Sequence, residues 1–181
     1  MRKIYTCIAA TFFAVAALAQ TEKGNWMMGG SLALDIVSEN STISFDPTVG
    51  VFIVNNFALG LNIDLGYAKL GDNKASNFGI GPFARYYFGS TTIRPFLHGD
   101  INYATQKLNT STSDNTESGV SYLLAGGIAA FLNRTVAIET IAGYKHTKLS
   151  DSEGDGGFSL RIGFQIYLNP RSTVEAVSRN Y

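Results

Sequence analysis

The 181-residue chain has a single cysteine, Cys7, and little charge: Asp, Glu, Lys and Arg make up 15% of it, against roughly 25% in soluble domains. Cys7 sits in an N-terminal stretch that opens with Arg2 and Lys3 and continues as IYTCIAATFFAVAALA, an apolar run too short for a comfortable transmembrane helix. The run closes on Ala17-Leu18-Ala19, the small-x-small pattern read by signal peptidase, so residues 1–19 are expected to be a signal peptide and the exported chain to begin at Gln20. A lipoprotein would need its cysteine at the cut, which Cys7 is not. The exported chain then has no thiol, which excludes disulfides, thiolate nucleophiles and cysteine-bound metal. A surplus of positive charge is also lacking. Without Arg2 and Lys3 the balance of 14 basic against 14 acidic residues becomes 12 against 14, and nucleic acid is not an expected partner.

What is present is alternation. Eight segments carry apolar residues at every second position, which predicts strands, and none has a helical period. They are 26–37, 43–54, 57–67, 78–89, 93 to about 106, 120–132, 136–146 and 158–168. In FALGLNIDLGY (57–67), Phe57, Leu59, Leu61, Ile63, Leu65 and Tyr67 alternate with Ala58, Gly60, Asn62, Asp64 and Gly66. Short connections at Asn55-Asn56, 90–92 and Asn133-Arg134 are expected to be tight turns. Longer polar ones at 38–42, 71–77, 109–118 and 150–157 are expected to be four loops at the other end. The pattern describes an all-β, eight-stranded, antiparallel up-and-down barrel, whose closure removes both sheet edges.

The faces differ in size. One holds Leu, Ile, Phe and Tyr; the other holds Gly60, Gly66, Gly79, Gly81, Ala125, Gly127 and Gly163 with scattered charge. An eight-stranded interior is only just wide enough for side chains to fill it, so the bulky face is expected outside, against lipid. Aromatics sort by depth: Trp26, Phe57, Tyr86 and Phe88 at one end, and Tyr67, Phe78, Tyr103, Tyr122, Tyr144 and Phe158 at the other. Phe57 and Tyr67 lie ten residues apart, as do Phe78 and Phe88, which at strand rise and barrel tilt spans roughly 25 Å, the height of an outer-membrane apolar band.

In PTVGVFIVNNFALGLNIDLGY (47–67), FGIGPFARYYFG (78–89) and VAIETIAGY (136–144) the chain resembles the small outer-membrane β-barrel family, the eight-stranded OmpA/OmpX-like proteins. The resemblance implies a barrel over 20–168 in the outer membrane of a Gram-negative cell envelope. Its implied partners are membrane lipid, lipopolysaccharide and, during insertion, the barrel-assembly machinery, which GFQIYL (163–168) would address. Residues 169–181 would follow as a short periplasmic tail, with no room for a peptidoglycan-binding domain. No cofactor is expected, and the chain is expected to be a monomer.

The polar face carries Asp35, Asp64, Arg85, Arg94, His98, Asp100, Glu139, Lys145 and Arg161. Charges in a confined space must be paired, so Asp64, Arg85, Arg94, Asp100, Glu139 and Arg161 are expected to form a structural ion-pair network, with Glu139 paired to Arg161 on the neighbouring strand. No catalytic residue is assigned: His146 near the rim has no well-placed serine beside it. No metal site is assigned either, since DSEGDG (151–156) starts like a calcium loop but has Ile162 where a bidentate glutamate would stand. The expected function is a non-enzymatic scaffold, structural or adhesin-like, presenting its loops to an unidentified surface ligand. The alternatives are a soluble ligand-binding barrel and a lipid A-modifying barrel enzyme.

Overall fold

Strand-forming alternation over eight segments produces eight antiparallel strands: β1 (Trp26–Val37), β2 (Asn40–Val54), β3 (Phe57–Leu70), β4 (Asn73–Tyr87), β5 (Ile93–Thr110), β6 (Ser113–Phe131), β7 (Val136–Leu149) and β8 (Asp155–Leu168). The structure, a computed structural model, describes residues 21–37, 40–70, 73–110, 113–150 and 153–170. The expected signal peptide and all but the first two residues of the expected tail lie outside them. Each strand pairs with its sequence neighbours, and β1 also pairs with β8, from Trp26↔Leu168 to Val37↔Gly157, which closes the barrel.

The bulky face points outward. Leu32, Ile43 and Leu124 are 63%, 66% and 67% exposed, while Asp46, Asn62, Arg85 and Glu139 are buried. In a water-soluble protein such a surface would be an immense apolar patch; around a closed barrel it is the surface that lipid covers. The face assignment also argues against a soluble ligand-binding barrel, because the large apolar side chains point outward and the charged ones inward.

The connections at the end bearing both described termini are tight. Asn56 takes φ 65°, a left-handed conformation that asparagine tolerates better than most residues. Asn133 turns the chain by accepting the backbone N–H groups of Thr135 and Val136 through Oδ1, at 2.7 and 2.9 Å.

The opposite end differs from expectation. Most of the polar stretches read as loops are strand: β2 begins at Asn40, β4 at Asn73, β6 at Ser113 and β8 at Asp155. The reason is physical. Past the lipid band both faces of a strand meet water, so the apolar alternation ends, whereas the backbone ladder that defines the strand does not.

Candidate functional site: the filled lumen

At the end bearing both described termini the lumen-facing residues are large. Met27, Phe52, Phe83, Tyr87, Phe96, Phe131 and Tyr167 are all buried and form one cluster with Ala58, Ala129 and Ala137. Glycine makes the room. A Cβ on Gly50 or Gly60 would come within 2.9 or 2.6 Å of the Phe83 ring, and one on Gly127 would run into Phe96. The rings pack in tilted pairs, Tyr87 with Phe96 at 5.2 Å and Phe131 with Tyr167 at 5.0 Å between centroids. The segment before β1 covers this floor. Thr21 and Asn25 are buried, Asn56 N–H donates to the Thr21 carbonyl at 2.7 Å, and Phe52 N–H donates to the Asn25 carbonyl at 2.9 Å.

Above the floor stands Arg85. Its Nη1 donates to Glu139 Oε2 at 2.7 Å, and its guanidinium lies 4.6 Å from the centroid of Phe96. Glu139 Oε1 accepts from the hydroxyls of Tyr87 and Tyr167, at 3.2 and 2.9 Å. Both oxygens of a buried carboxylate are thereby satisfied, as burial of a charge demands. Arg85 Nε also donates to His98 Nδ1 at 3.3 Å, which makes Nε2 the protonated nitrogen; it faces Asp100 Oδ2 at 3.0 Å. The imidazole is therefore neutral and joins an arginine to an aspartate. Asn102 Nδ2 donates to the other oxygen of Asp100 at 2.8 Å.

Two further cations, Lys145 and Arg161, stand among the lumen acids. Lys145 Nζ bridges Asp35 at 2.6 Å and Asp64 at 2.5 Å, and Ser159 Oγ donates to Asp35. Arg161 Nη1 lies 3.7 Å from Asp46 and 3.9 Å from Asp100. Its Nε and Nη2, and both oxygens of Asp46, have no hydrogen-bond partner within the protein. Such spacing around buried polar atoms suits bridging water.

The geometry corrects two expectations. Glu139 pairs with Arg85 and not with Arg161. The register sets Glu139 opposite Gly163 and Arg161 opposite Ile141, so the two charges are adjacent in strand order but not in height. Arg94 does not join the ion pairs either. It stands at the start of β5, where Nε donates to the Thr91 carbonyl at 3.0 Å, Nη1 to Thr21 Oγ1 at 2.6 Å, and the guanidinium covers Phe131 at 4.8 Å. Asp46, Tyr87 and Tyr167 were absent from the sequence-derived set although period two places all three on the lumen face. Outside, His146 opposes Tyr122 across β6 and β7, ring centroids 5.3 Å apart. Among the described residues no group of three His, Cys, Asp or Glu side chains could hold a metal ion.

A closed barrel with a lipid-suited exterior and an ion-paired interior agrees with the family comparison. The model of the outer membrane protein beta-barrel domain matches residues 5–181. The chain belongs to this family. In fold it is similar to neisserial surface protein A, with 15% identity, TM-score 0.62, and coverage of 78% of this chain and 95% of that one. It is likewise similar to Ail, the attachment invasion locus protein of Yersinia pestis, with 10% identity, TM-score 0.55, and coverage of 81% and 99%. The outer membrane protein OprG of Pseudomonas aeruginosa gives 14% identity, TM-score 0.53, and coverage of 82% and 97%. No curated protein matches the chain significantly in sequence.

Proposed function

We propose that this outer-membrane barrel is a non-enzymatic, monomeric scaffold that carries a binding surface at the cell exterior. One observation carries the reading: β3 to β6 continue as paired strand beyond the outer aromatic girdle. From Tyr103 to the end of β5 at Thr110 is seven residues, which at strand rise and barrel tilt lifts the β5–β6 hairpin roughly 18 Å past the girdle. Exposed loops and hairpin tips on a rigid scaffold are where binding concentrates. The filled lumen supports the same reading, since its volume is spent on side chains. Lipopolysaccharide and membrane lipid are the proposed surroundings, the barrel-assembly machinery the proposed route of insertion, and Gln20 the proposed first residue of the exported form.

The test is display. The β3–β4 and β5–β6 hairpin ends grafted on an inert barrel should confer binding to host-cell or extracellular-matrix surfaces, and the native barrel with both ends trimmed should lose it. Equal binding by trimmed and native barrels would refute the scaffold reading. Intact mass of the outer-membrane form checks the processing, and a mass retaining residues 1–19 would refute the start at Gln20.

A further inference from the structure

One row of register partners carries the amides of the lumen. Gln165 on β8 stands opposite Gly29 on β1, Gly29 opposite Thr48 on β2, Thr48 opposite Asn62 on β3, and Asn62 opposite Gly81 on β4. The two glycines leave the row open. A Cβ on Gly29 would come within 2.7 Å of Gln165 Oε1, and one on Gly81 within 2.6 Å of Asn102 Oδ1, so amide oxygens occupy the space a side chain would take. Their nitrogens are used: Gln165 Nε2 donates to Thr48 Oγ1 at 2.8 Å, and Asn102 Nδ2 to Asp100 at 2.8 Å. Their oxygens are not. The amide oxygens of Gln165 and Asn102, the whole amide of Asn62 and both carboxylate oxygens of Asp46 are buried and have no hydrogen-bond partner within the protein. Asp46 belongs to the same place, two residues before Thr48 on the lumen face of β2.

Charge around this row does not balance. Arg85 is taken by Glu139, the imidazole of His98 is neutral, and Arg94 lies at the floor against Phe131. Among the described residues, Asp35, Asp46, Asp64 and Asp100 are left with Lys145 and Arg161, and Lys145 is spent on Asp35 and Asp64. Arg161 faces both Asp46 and Asp100, and at 3.7 and 3.9 Å it is beyond hydrogen-bond reach of either. Water supplies hydrogen bonds in such a place but does not neutralise an excess of buried negative charge. Amide oxygens beside a carboxylate are the donors that hard cations prefer. We infer that the row is a cation site, in which Asp46 and the amide oxygens of Asn62, Asn102 and Gln165 hold one sodium ion. The site offers a single carboxylate with a guanidinium 3.7 Å from it, which favours one positive charge over two.

Sodium dependence of stability reads the site. The full chain is refolded into lipid vesicles in sodium chloride or in choline chloride at equal ionic strength, so that screening is the same, and unfolding in urea is compared. Refolding in each salt loads the lumen whichever way it opens. The expected result is an unfolding equilibrium shifted about tenfold towards the folded barrel by sodium, and by less than about twofold in Asp46→Asn. Asn62→Leu keeps the charge but loses an oxygen, and should need about tenfold more sodium for the same shift. Broadening of the sodium NMR line by the parent chain in nanodiscs, lost in Asp46→Asn, registers binding apart from stability. Equal stability in sodium and choline without line broadening overturns the site, since protons then hold the excess charge. A sodium effect undiminished in Asp46→Asn belongs to the membrane surface and overturns it as well. Calcium chloride that stabilises more than sodium chloride at equal ionic strength, again through Asp46, overturns the assignment to a singly charged ion.

Discussion

Arg85 and Glu139 meet at 2.7 Å although β4 and β7 are three places apart in the barrel. The pair crosses the lumen and tethers opposite walls. Both side chains are almost fully buried, and Phe96 covers the guanidinium. A charge left alone there keeps only neutral partners, Tyr87 and Tyr167 for Glu139 and Tyr87 and His98 for Arg85.

Either Arg85→Leu or Glu139→Gln should therefore cost on the order of 3–5 kcal/mol, and the two together clearly less than their sum. Urea unfolding in lipid vesicles measures it. The companion cycle between Glu139→Gln and Arg161→Leu should be closer to additive, because those residues share no bond. Strong coupling in the second cycle and none in the first would reverse the assignment.

Lys145 is a different kind of tie. It holds Asp35 and Asp64 together, at 2.6 and 2.5 Å. Lys145→Met would leave two carboxylates facing each other, a like-charge arrangement that one of them can escape only by taking up a proton. Stability should fall by roughly 3–5 kcal/mol at neutral pH, and adding Asp64→Asn should restore part of it. A double variant no more stable than Lys145→Met would show that the lysine acts through packing alone.

The floor makes a steric prediction. Gly127 lies against the ring of Phe96, and an added Cβ would overlap it. Gly127→Val should destabilise the barrel by about 1–3 kcal/mol. Combining it with Phe96→Leu should recover some of the loss, since the smaller side chain vacates the space. Equal or greater loss in the double variant would place the strain in the backbone and not in the ring contact.

How these contacts relate to the sequence depends on which rule governs each residue. Period two holds wherever one face meets lipid, and β1, Trp26–Val37, can be read to its ends from alternation alone. It fails at Lys107 or Glu117, where both faces of the hairpin are polar and only the ladder shows that a strand continues. The same rule assigns Arg85 and Glu139 to the lumen but is silent on height. Height depends on the shear of the closed barrel, which no single strand encodes. Hence strand adjacency alone points to Arg161 as the partner of Glu139, while the register carries Arg161 towards Asp46 and Asp100. The floor shows another limit. Phe83, Tyr87 and Phe96 occupy the face otherwise marked by glycine, and only the packing reveals that Gly50, Gly60 and Gly127 are small because these rings are large.

The most demanding prediction concerns depth on the outer face. Along β3, Leu61 is 53% exposed between Val49 of β2 and Pro82 of β4. Phe57 and Tyr67 mark the two ends of the lipid-facing run. Arginine at the bilayer midplane of such a strand costs about 2–4 kcal/mol, falling to about 0–1 near the interfaces. Arginine placed in turn at Phe57, Leu59, Leu61, Ile63, Leu65 and Tyr67 should therefore give a profile peaking at Leu61 or Ile63, read from reversible unfolding in lipid vesicles. Leu61→Ala separates charge from lost apolar contact. It removes side-chain area without placing a charge in hydrocarbon, so it should cost well under the arginine value. The neighbour Asn62 is buried in the lumen, and an arginine there meets a filled interior, so its cost follows local packing and not membrane depth. A flat profile across the six outer positions would mean that this face does not meet the hydrocarbon band. So would folding of the exported chain in buffer without lipid or detergent.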